Sequence, residues 1–232
     1  MQVFCDFDGT VSSVDTTDYV LSRLAAPGWE QLEKDWLAGR IGAAACMRGQ
    51  IALIRGGDAE LDAVLDDVGV DPGFPDFAAW CARTSVPLTI VSDGVGYFIH
   101  RILWRHGLDG LPVISNRLAR RAGARRLVQP HLRKGCAAGA GVCKCAAMVR
   151  RTPSGPSRNI YIGDGRSDFC VSGRADILFA KGELAEYAAA RGQAHHRFKT
   201  FHDITATLTG LLEARRAAVR QEFACTTRSL RL

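Results

Sequence analysis

The sequence has few lysines and methionines, and no long apolar run. Five Lys stand against 25 Arg in 232 residues, so the formal net charge of +6 is almost wholly guanidinium. No stretch approaches the roughly 20 consecutive apolar residues that cross a bilayer, so no membrane span is expected. The chain opens directly on the strand-like Val3-Phe4-Cys5, which leaves no room for a secretory signal peptide, and a cytoplasmic protein is expected. Eight Cys in such a chain read as free thiols rather than as a disulfide framework. Basic residues cluster at Arg117, Arg120, Arg121, Arg125, Arg126, Arg133 and Lys134, and again at Arg215, Arg216, Arg220, Arg228 and Arg231. No aromatic-studded basic surface or nucleic-acid motif accompanies them, so nucleic acid is not an expected partner. What is present is ample apolar material: 47% of residues are hydrophobic and 23% charged, enough to bury a core and exclude wholesale disorder. Against about 150 residues per domain, the length suggests one core domain with a modest insertion.

Residues 2–6 read as a short buried strand that ends in Asp6-Phe7-Asp8-Gly9-Thr10. From 13 to 83 the pattern is helical. Asp15 or Thr16 caps a first helix with Val20, Leu21 and Leu24 on its apolar face, and Pro27-Gly28 breaks it. A second helix carries Trp29, Leu32 and Trp36, a third runs over 43–54, and two more cover 59–68 and 75–83. Strand signals return at 87–92, 111–115, 159–162 and 177–180, with a further extended stretch at 126–129. Helices are expected at 96–106, 144–151, 183–191 and 203–218. Strands alternating with helices after residue 86 indicate an α/β fold with a parallel sheet.

Ligands of open parallel sheets bind beyond the carboxyl ends of the strands, and three strands here end in polar clusters: Asp6 and Asp8, Ser92 to Gly94, and Asp164 to Asp168. Two carboxylates two residues apart on an extended turn point into one crevice. The first can act as a nucleophile and the second as a proton donor. Several carboxylates in one pocket repel unless a cation neutralises them, and hard oxygen donors suit Mg²⁺. The glycines at 9, 94, 163 and 165 allow backbone N–H groups to approach a phosphate.

These residues resemble the haloacid dehalogenase superfamily of phosphohydrolases. Its first motif, hhhDxDGT, is matched by Phe4 to Thr10, its second by Ser92, and its fourth, GDGxxD, by Gly163 to Asp168. The third is a Lys upstream of the fourth motif. Lys144, which opens an expected helix, is the first candidate and Lys134 the rival. The resemblance covers residues 2 to about 215. It implies a Rossmann-like core over 1–12 and 84–217, a small helical C1 cap over 13–83 inserted after the first strand, and a flexible basic tail over 218–232. It further implies a phosphomonoester hydrolase in which Asp6 takes up the phosphoryl group and Asp8 serves as general acid and base. Ser92, Lys144 and the Gly94 N–H, beside Gly9, would hold phosphoryl oxygens. Mg²⁺ would bind Asp6, the Asp8 carbonyl and Asp164, with Asp168 orienting Lys144 or metal-bound water.

The 13–83 segment resembles the cap of the phosphoserine-phosphatase-like branch. Asp15 stands where serine-specific relatives carry a Glu for the substrate amine, and Gln50 where they carry an Arg for its carboxylate, with Arg48 one helical step away. Losing that Arg removes a bidentate carboxylate clamp. The likeness is greater to methionine-salvage phosphatases, through Gln50-Ile51-Ala52-Leu53, Ser115-Asn116-Arg117 and Cys143-Lys144, although Asp93 departs from their Ser-Gly-Gly. The expected substrate is therefore a small phosphorylated metabolite, handled by a monomer or homodimer. Phosphoserine hydrolysis and phosphoryl transfer to an alcohol are the alternatives. His131, Cys136, Cys143 and Cys145 form a possible zinc set, weighed against free thiols. His195 and His196 read as an exposed loop pair.

Overall fold

The computed structural model describes residues 1–121, 123–151 and 158–229. In chain order the elements are β1 (Gln2–Cys5), α1 (Thr16–Leu24), α2 (Trp29–Leu37), α3 (Ala43–Leu53), α4 (Asp58–Asp66), α5 (Phe74–Arg83), β2 (Leu88–Val95) and α6 (Gly96–Arg105). They continue with β3 (Val113–Arg121), β4 (Ala124–Val128), α7 (Lys144–Arg151) and β5 (Asn159–Gly163). A 3₁₀ turn (Arg166–Asp168) then leads to α8 (Phe169–Ser172), β6 (Ile177–Ala180), α9 (Gly182–Ala190), β7 (His196–Arg197) and α10 (Phe201–Ser229).

Among the described residues the strands form one sheet in the order β4-β3-β2-β1-β5-β6-β7. β1 lies at its centre, parallel to β2 and β5, with Cys5 opposite Ile90 on one side and Ile162 on the other. The chain winds outward in both directions from β1. The crevice at the carboxyl end of a central strand of this kind is where such sheets receive ligands.

Strands of a sheet covered on both faces are apolar throughout, and alternate residues serve opposite layers. Val3, Cys5, Ile90 and Ile162 pack with Phe77 of α5, Phe98 of α6 and Phe201 of α10. Phe4, Val91, Tyr161 and Leu178 face the other way, toward Met148 of α7, Val171 of α8 and Leu184 of α9. Phe201 is an aromatic centre of the first layer. Its ring meets Phe74 edge-on at 4.8 Å and Phe77 at 5.2 Å.

The helical expectation for 13–83 is met element by element. Asp15 is the cap of α1 and accepts from the Asp18 N–H at 2.9 Å. α5 packs on α10, as those rings show, and α4 is tied to α6 by Arg101, whose guanidinium bonds Asp66 at 2.7 and 2.8 Å. α1, α2 and α3 lie over the carboxyl ends of the strands.

Three expectations change. β3 runs on to Arg121 and β4 returns antiparallel to it, Arg117 opposite Val128, so the Arg-rich stretch forms a hairpin arm on an otherwise parallel sheet. His196 is not in a loop: with Arg197 it makes the short edge strand β7 beside β6. The 218–232 segment continues α10 as far as Ser229, while 230–232 lie outside the described residues.

The arm also accounts for part of the Arg excess. Arg125 is 4% exposed and donates to the carbonyls of Arg55 (3.2 Å), Gly56 (2.8 Å) and Gly57 (2.7 Å). Arg120 pairs with Asp58. Among the described residues no helix is long and apolar enough to cross a membrane.

Phe201→Ala removes the ring shared by α5 and α10. Such a truncation costs about 3–5 kcal/mol, and urea unfolding of the variant is expected to show a loss in that range.

Candidate active site

The end of β1 places Asp6 in the middle of the sheet's carboxyl edge. The extension of β2 brings Ser92 beside it, the end of β5 brings Asp164, and the first residue of α7 brings Lys144. Asp6 is 5% exposed, Lys144 3%, and Asp168 wholly buried. Lys144 Nζ lies 2.8 Å from Asp6 Oδ1 and 2.6 Å from Asp168 Oδ1, and it donates to Ser167 Oγ at 2.9 Å. Asp168 Oδ1 also accepts from the Tyr161 hydroxyl at 2.5 Å, while Oδ2 accepts from the N–H groups of Asp164 (3.1 Å) and Gly165 (3.3 Å). The carboxylate of Asp168 is thereby saturated. Lys134, the rival lysine, is exposed.

Asp8 is held differently. Its Oδ1 accepts from the Thr16 N–H at 3.1 Å and from the Thr16 hydroxyl, and its Oδ2 accepts from Ser92 Oγ at 3.1 Å. Ser92 Oγ in turn accepts from the Gly94 N–H at 2.8 Å. Gly94 is required by space: a Cβ there would stand 2.3 Å from Asp8 Oδ2. Gly9 has φ +69°, a left-handed conformation natural to glycine, and a Cβ would lie 2.5 Å from Asp164 Oδ2. Asp164 Oδ1 accepts from the Thr10 hydroxyl at 2.6 Å.

Burial and crowding set the protonation balance. Removal from water, and then the neighbouring Asp168, push the Asp6 carboxyl well above its usual range, opposed by Lys144. Burial also raises Asp164, against the Thr10 hydrogen bond. Lys144 is raised too, which for an amine favours the charged form. Burial alone would depress it, but Asp168 and Asp6 outweigh that and hold the ammonium charged.

Among the described residues, Asp6, Asp164 and Asp168 offer carboxylate oxygens within 4.8 Å of one another, whereas no three of His131, Cys136, Cys143 and Cys145 form such a group. Asp168 is already committed to Lys144, Tyr161 and two backbone N–H groups, so Asp6 and Asp164 are the oxygen donors left to face a cation. Hard carboxylate oxygens in an excess of negative charge fit a divalent cation of the Mg²⁺ type.

These residues open onto a cavity of about 630 Å³ whose far wall is built by α1, α2 and α3. Asp15, Asp18, Glu33, Trp36, Met47 and Gln50 line that wall. Gln50 is buried and donates to Glu33 Oε2 at 3.0 Å. Arg48 is not among the lining residues. It is exposed and turned to Gln129 on the far side of α3.

Several participants escaped the sequence reading. Tyr161 looked like one more apolar strand residue. Its position, two before Gly163 on the face opposite Ile160 and Ile162, was the available signal. Thr16 read as a helix cap but grips Asp8. Asp93 read only as a departure from a pattern. Its Oδ1 accepts from the Val142 N–H at 2.8 Å and Asn116 Nδ2 at 3.1 Å, which joins the end of β2 to the segment leading into Lys144.

The comparisons with known proteins agree with this geometry. The family model of haloacid dehalogenase-like hydrolases matches residues 3–172. A 2-hydroxy-3-keto-5-methylthiopentenyl-1-phosphate phosphatase of Brevibacillus brevis is 28% identical over 87% of this chain and 92% of its own. The protein of the same name from Geobacillus thermodenitrificans is 29% identical, with the same coverage of both chains. In fold, a substrate-bound phosphoserine phosphatase superposes with a TM-score of 0.67 at 17% identity, over 89% of this chain and 97% of the other.

Lys144→Ala leaves Asp6 and Asp168 buried without their cation, a change that costs about 3–5 kcal/mol. Without the ammonium, Asp6 in the folded state binds a proton that the unfolded chain, near pH 3.9 for Asp, has released. Folding then takes up protons, so stability falls as pH rises. Denaturant titrations are expected to show a larger loss at pH 8 than at pH 5.

Proposed function

The chain belongs to the haloacid dehalogenase-like hydrolases, and from that membership we propose that it is a cytoplasmic, Mg²⁺-dependent phosphatase of a small phosphorylated metabolite. The observation that carries this reading is the convergence of Asp6, Asp8, Ser92 and Asp164 on one cavity at the end of the central strand, with Lys144 buried against Asp6. Asp6 attacks phosphorus and forms an aspartyl-phosphate, the carboxylate form of covalent catalysis. Asp8, positioned by Thr16 and Ser92, gives its proton to the leaving alkoxide and then takes one from the attacking water. Ser92 Oγ, the Gly94 N–H and Lys144 Nζ bind the phosphoryl oxygens as charge redistributes. The three donors of Lys144 are occupied by Asp6, Asp168 and Ser167. An incoming phosphoryl oxygen takes the place of Ser167, the one neutral partner. Asp6, the Asp8 carbonyl and Asp164 would hold Mg²⁺, which when bound offsets the charge of carboxylates and phosphate.

Residues 13–83 supply the lid in this reading, with α1 to α3 facing the leaving group. The wall they present carries Asp15, Asp18 and Glu33 and the apolar Trp36, Leu37 and Met47, with no cationic side chain among the lining residues of these helices. Gln50 bonds Glu33 and Arg48 faces away, so the lid helices offer no guanidinium to a substrate carboxylate, and Arg166, which lines the cavity from the sheet side, is paired with Glu183 at 3.1 Å. That argues against phosphoserine. It suits an uncharged leaving group with hydroxyl and thioether parts, as in the substrate named for the Brevibacillus and Geobacillus relatives.

With Mg²⁺ the protein is expected to release inorganic phosphate from 2-hydroxy-3-keto-5-methylthiopentenyl-1-phosphate and from p-nitrophenyl phosphate, with phosphoserine at least tenfold poorer in kcat/KM. Asp6→Asn should abolish turnover, and EDTA should suppress it reversibly. Turnover that survives Asp6→Asn sinks the mechanism, and a preference for phosphoserine sinks the substrate assignment.

A further inference from the structure

Behind the Lys144–Asp168 pair stands a second pair of reactive groups. Cys145 directly follows Lys144 in the first turn of α7, and Cys170 lies in α8, two residues past Asp168. Their Sγ atoms are 3.5 Å apart, in contact across the two elements that carry the site's buried ion pair. Both residues are half-buried, and neither lines the cavity, so a small reagent can reach them without entering the phosphate site. Cys136, half-buried, and Cys143, fully buried, stand nearby.

We propose that Cys145 and Cys170 are a peroxide-oxidisable thiol pair, a modification site whose disulfide slows the enzyme by straining the seating of Lys144 against Asp6 and Asp168. The activity half of this inference rests on the phosphatase reading, and the cross-link itself does not. The two thiols are unequal in the manner such a pair needs. The hydrogen bond shared with Cys170, and the exposed Arg174 guanidinium alongside, lower the Cys145 thiol to about 6, against its burial. A position in the first turn of a helix favours the thiolate as well. Cys170 is raised by the same hydrogen bond and by burial, and stays protonated. One sulfur is the nucleophile and the other the resolving thiol.

The chemistry balances with hydrogen peroxide as the oxidant. The Cys145 thiolate attacks the peroxide: an S–O bond forms, the O–O bond breaks, and hydroxide leaves to be protonated to water. Cys170 then loses its proton and attacks the sulfenic sulfur, so that an S–S bond forms, the S–O bond breaks and a second water departs. Two thiols and one peroxide give one disulfide and two waters. A dithiol reverses the step by exchange. Turning the 3.5 Å contact into a covalent bond draws the first turn of α7 toward α8. Lys144 has little slack to absorb that, with its partners at 2.6 and 2.8 Å. Misplacement of a positioned group by about 1 Å slows a reaction by roughly a hundredfold.

The full-length protein with Mg²⁺ is treated with hydrogen peroxide, alkylated and mapped by non-reducing peptide mass spectrometry, with p-nitrophenyl phosphate turnover followed in parallel. A Cys145–Cys170 cross-link at a mass loss of two hydrogens is expected. Turnover should fall roughly ten- to a hundredfold and recover with dithiothreitol. Cys170→Ser should retain the untreated turnover and stop at a dimedone-trappable sulfenic acid on Cys145, while Cys145→Ser should retain turnover through peroxide treatment. A cross-link between other cysteines, thiols that all remain alkylatable, zinc carried on these thiols by the purified protein, or a Cys145–Cys170 disulfide with unchanged turnover each overturns the proposal. A protein without phosphatase activity that still forms the cross-link refutes the phosphatase reading and the activity half of the proposal, and leaves only the site.

Discussion

One buried ammonium organises the carboxyl edge of this sheet. Asp6 and Asp168 lie far apart in the chain and meet in a water-poor crevice, where two carboxylates alone would repel or take up protons. Lys144 answers both at once, with Ser167 on its third N–H. Its stem reaches in from the start of α7, so the helix must begin where it does for the charge to arrive. In a chain with 25 Arg and five Lys, the choice of Lys here is physical. A compact point charge with three rotatable donors fits between partners at 2.6 to 2.9 Å, and a planar guanidinium fork would need a wider, bidentate arrangement.

Much of this was legible from residue pattern. The carboxylates were placed by strand-ending clusters, and those clusters are local: hydrophobic strand, acidic turn, glycine. The parallel character of the sheet followed from alternating strands and helices, and the helices at 16–83 from apolar spacing and the break at Pro27-Gly28, while the strand order did not. What stayed hidden depends on where the fold points a side chain, whether the partner is seven, eight or 49 residues away. Tyr161 acts because its alternation in β5 turns the ring toward Asp168, and Thr16 because α1 starts within reach of Asp8. Asp93 acts because it meets a backbone N–H 49 residues on. No local pattern distinguishes these from a core tyrosine, a helix cap or a turn aspartate.

The hairpin arm was misjudged for a related reason. Its alternating Arg and small residues look like a solvated stretch, and Arg125 is the residue that reverses that impression. Burial of a guanidinium is tolerated where its donors are spent on hydrogen bonds, and here three backbone carbonyls between α3 and α4 receive those of the two Nη atoms, while Nε is buried without a partner among the described residues. Part of the basic surplus is thus spent inside the molecule. The exposed pairs, such as Arg120 with Asp58, add little stability individually but lie along the same seam.

That seam makes the three helices over the cavity mechanically unequal. α3 is fastened along its length, with the Arg125 carbonyl grip just past its C-terminal end, and at its start the Ala44 N–H bonded to the Gly139 carbonyl at 3.0 Å and the Ala44 carbonyl to Gln129 Nε2 at 3.1 Å. α2 is joined to α3 by the Gln50–Glu33 hydrogen bond and buries none of its residues completely. The cavity therefore has one firmly held wall and one lightly held. Trp36 and Leu37 stand on the lightly held wall, so sequence changes on that one short helix reshape the cavity without touching the carboxylates at the strand ends.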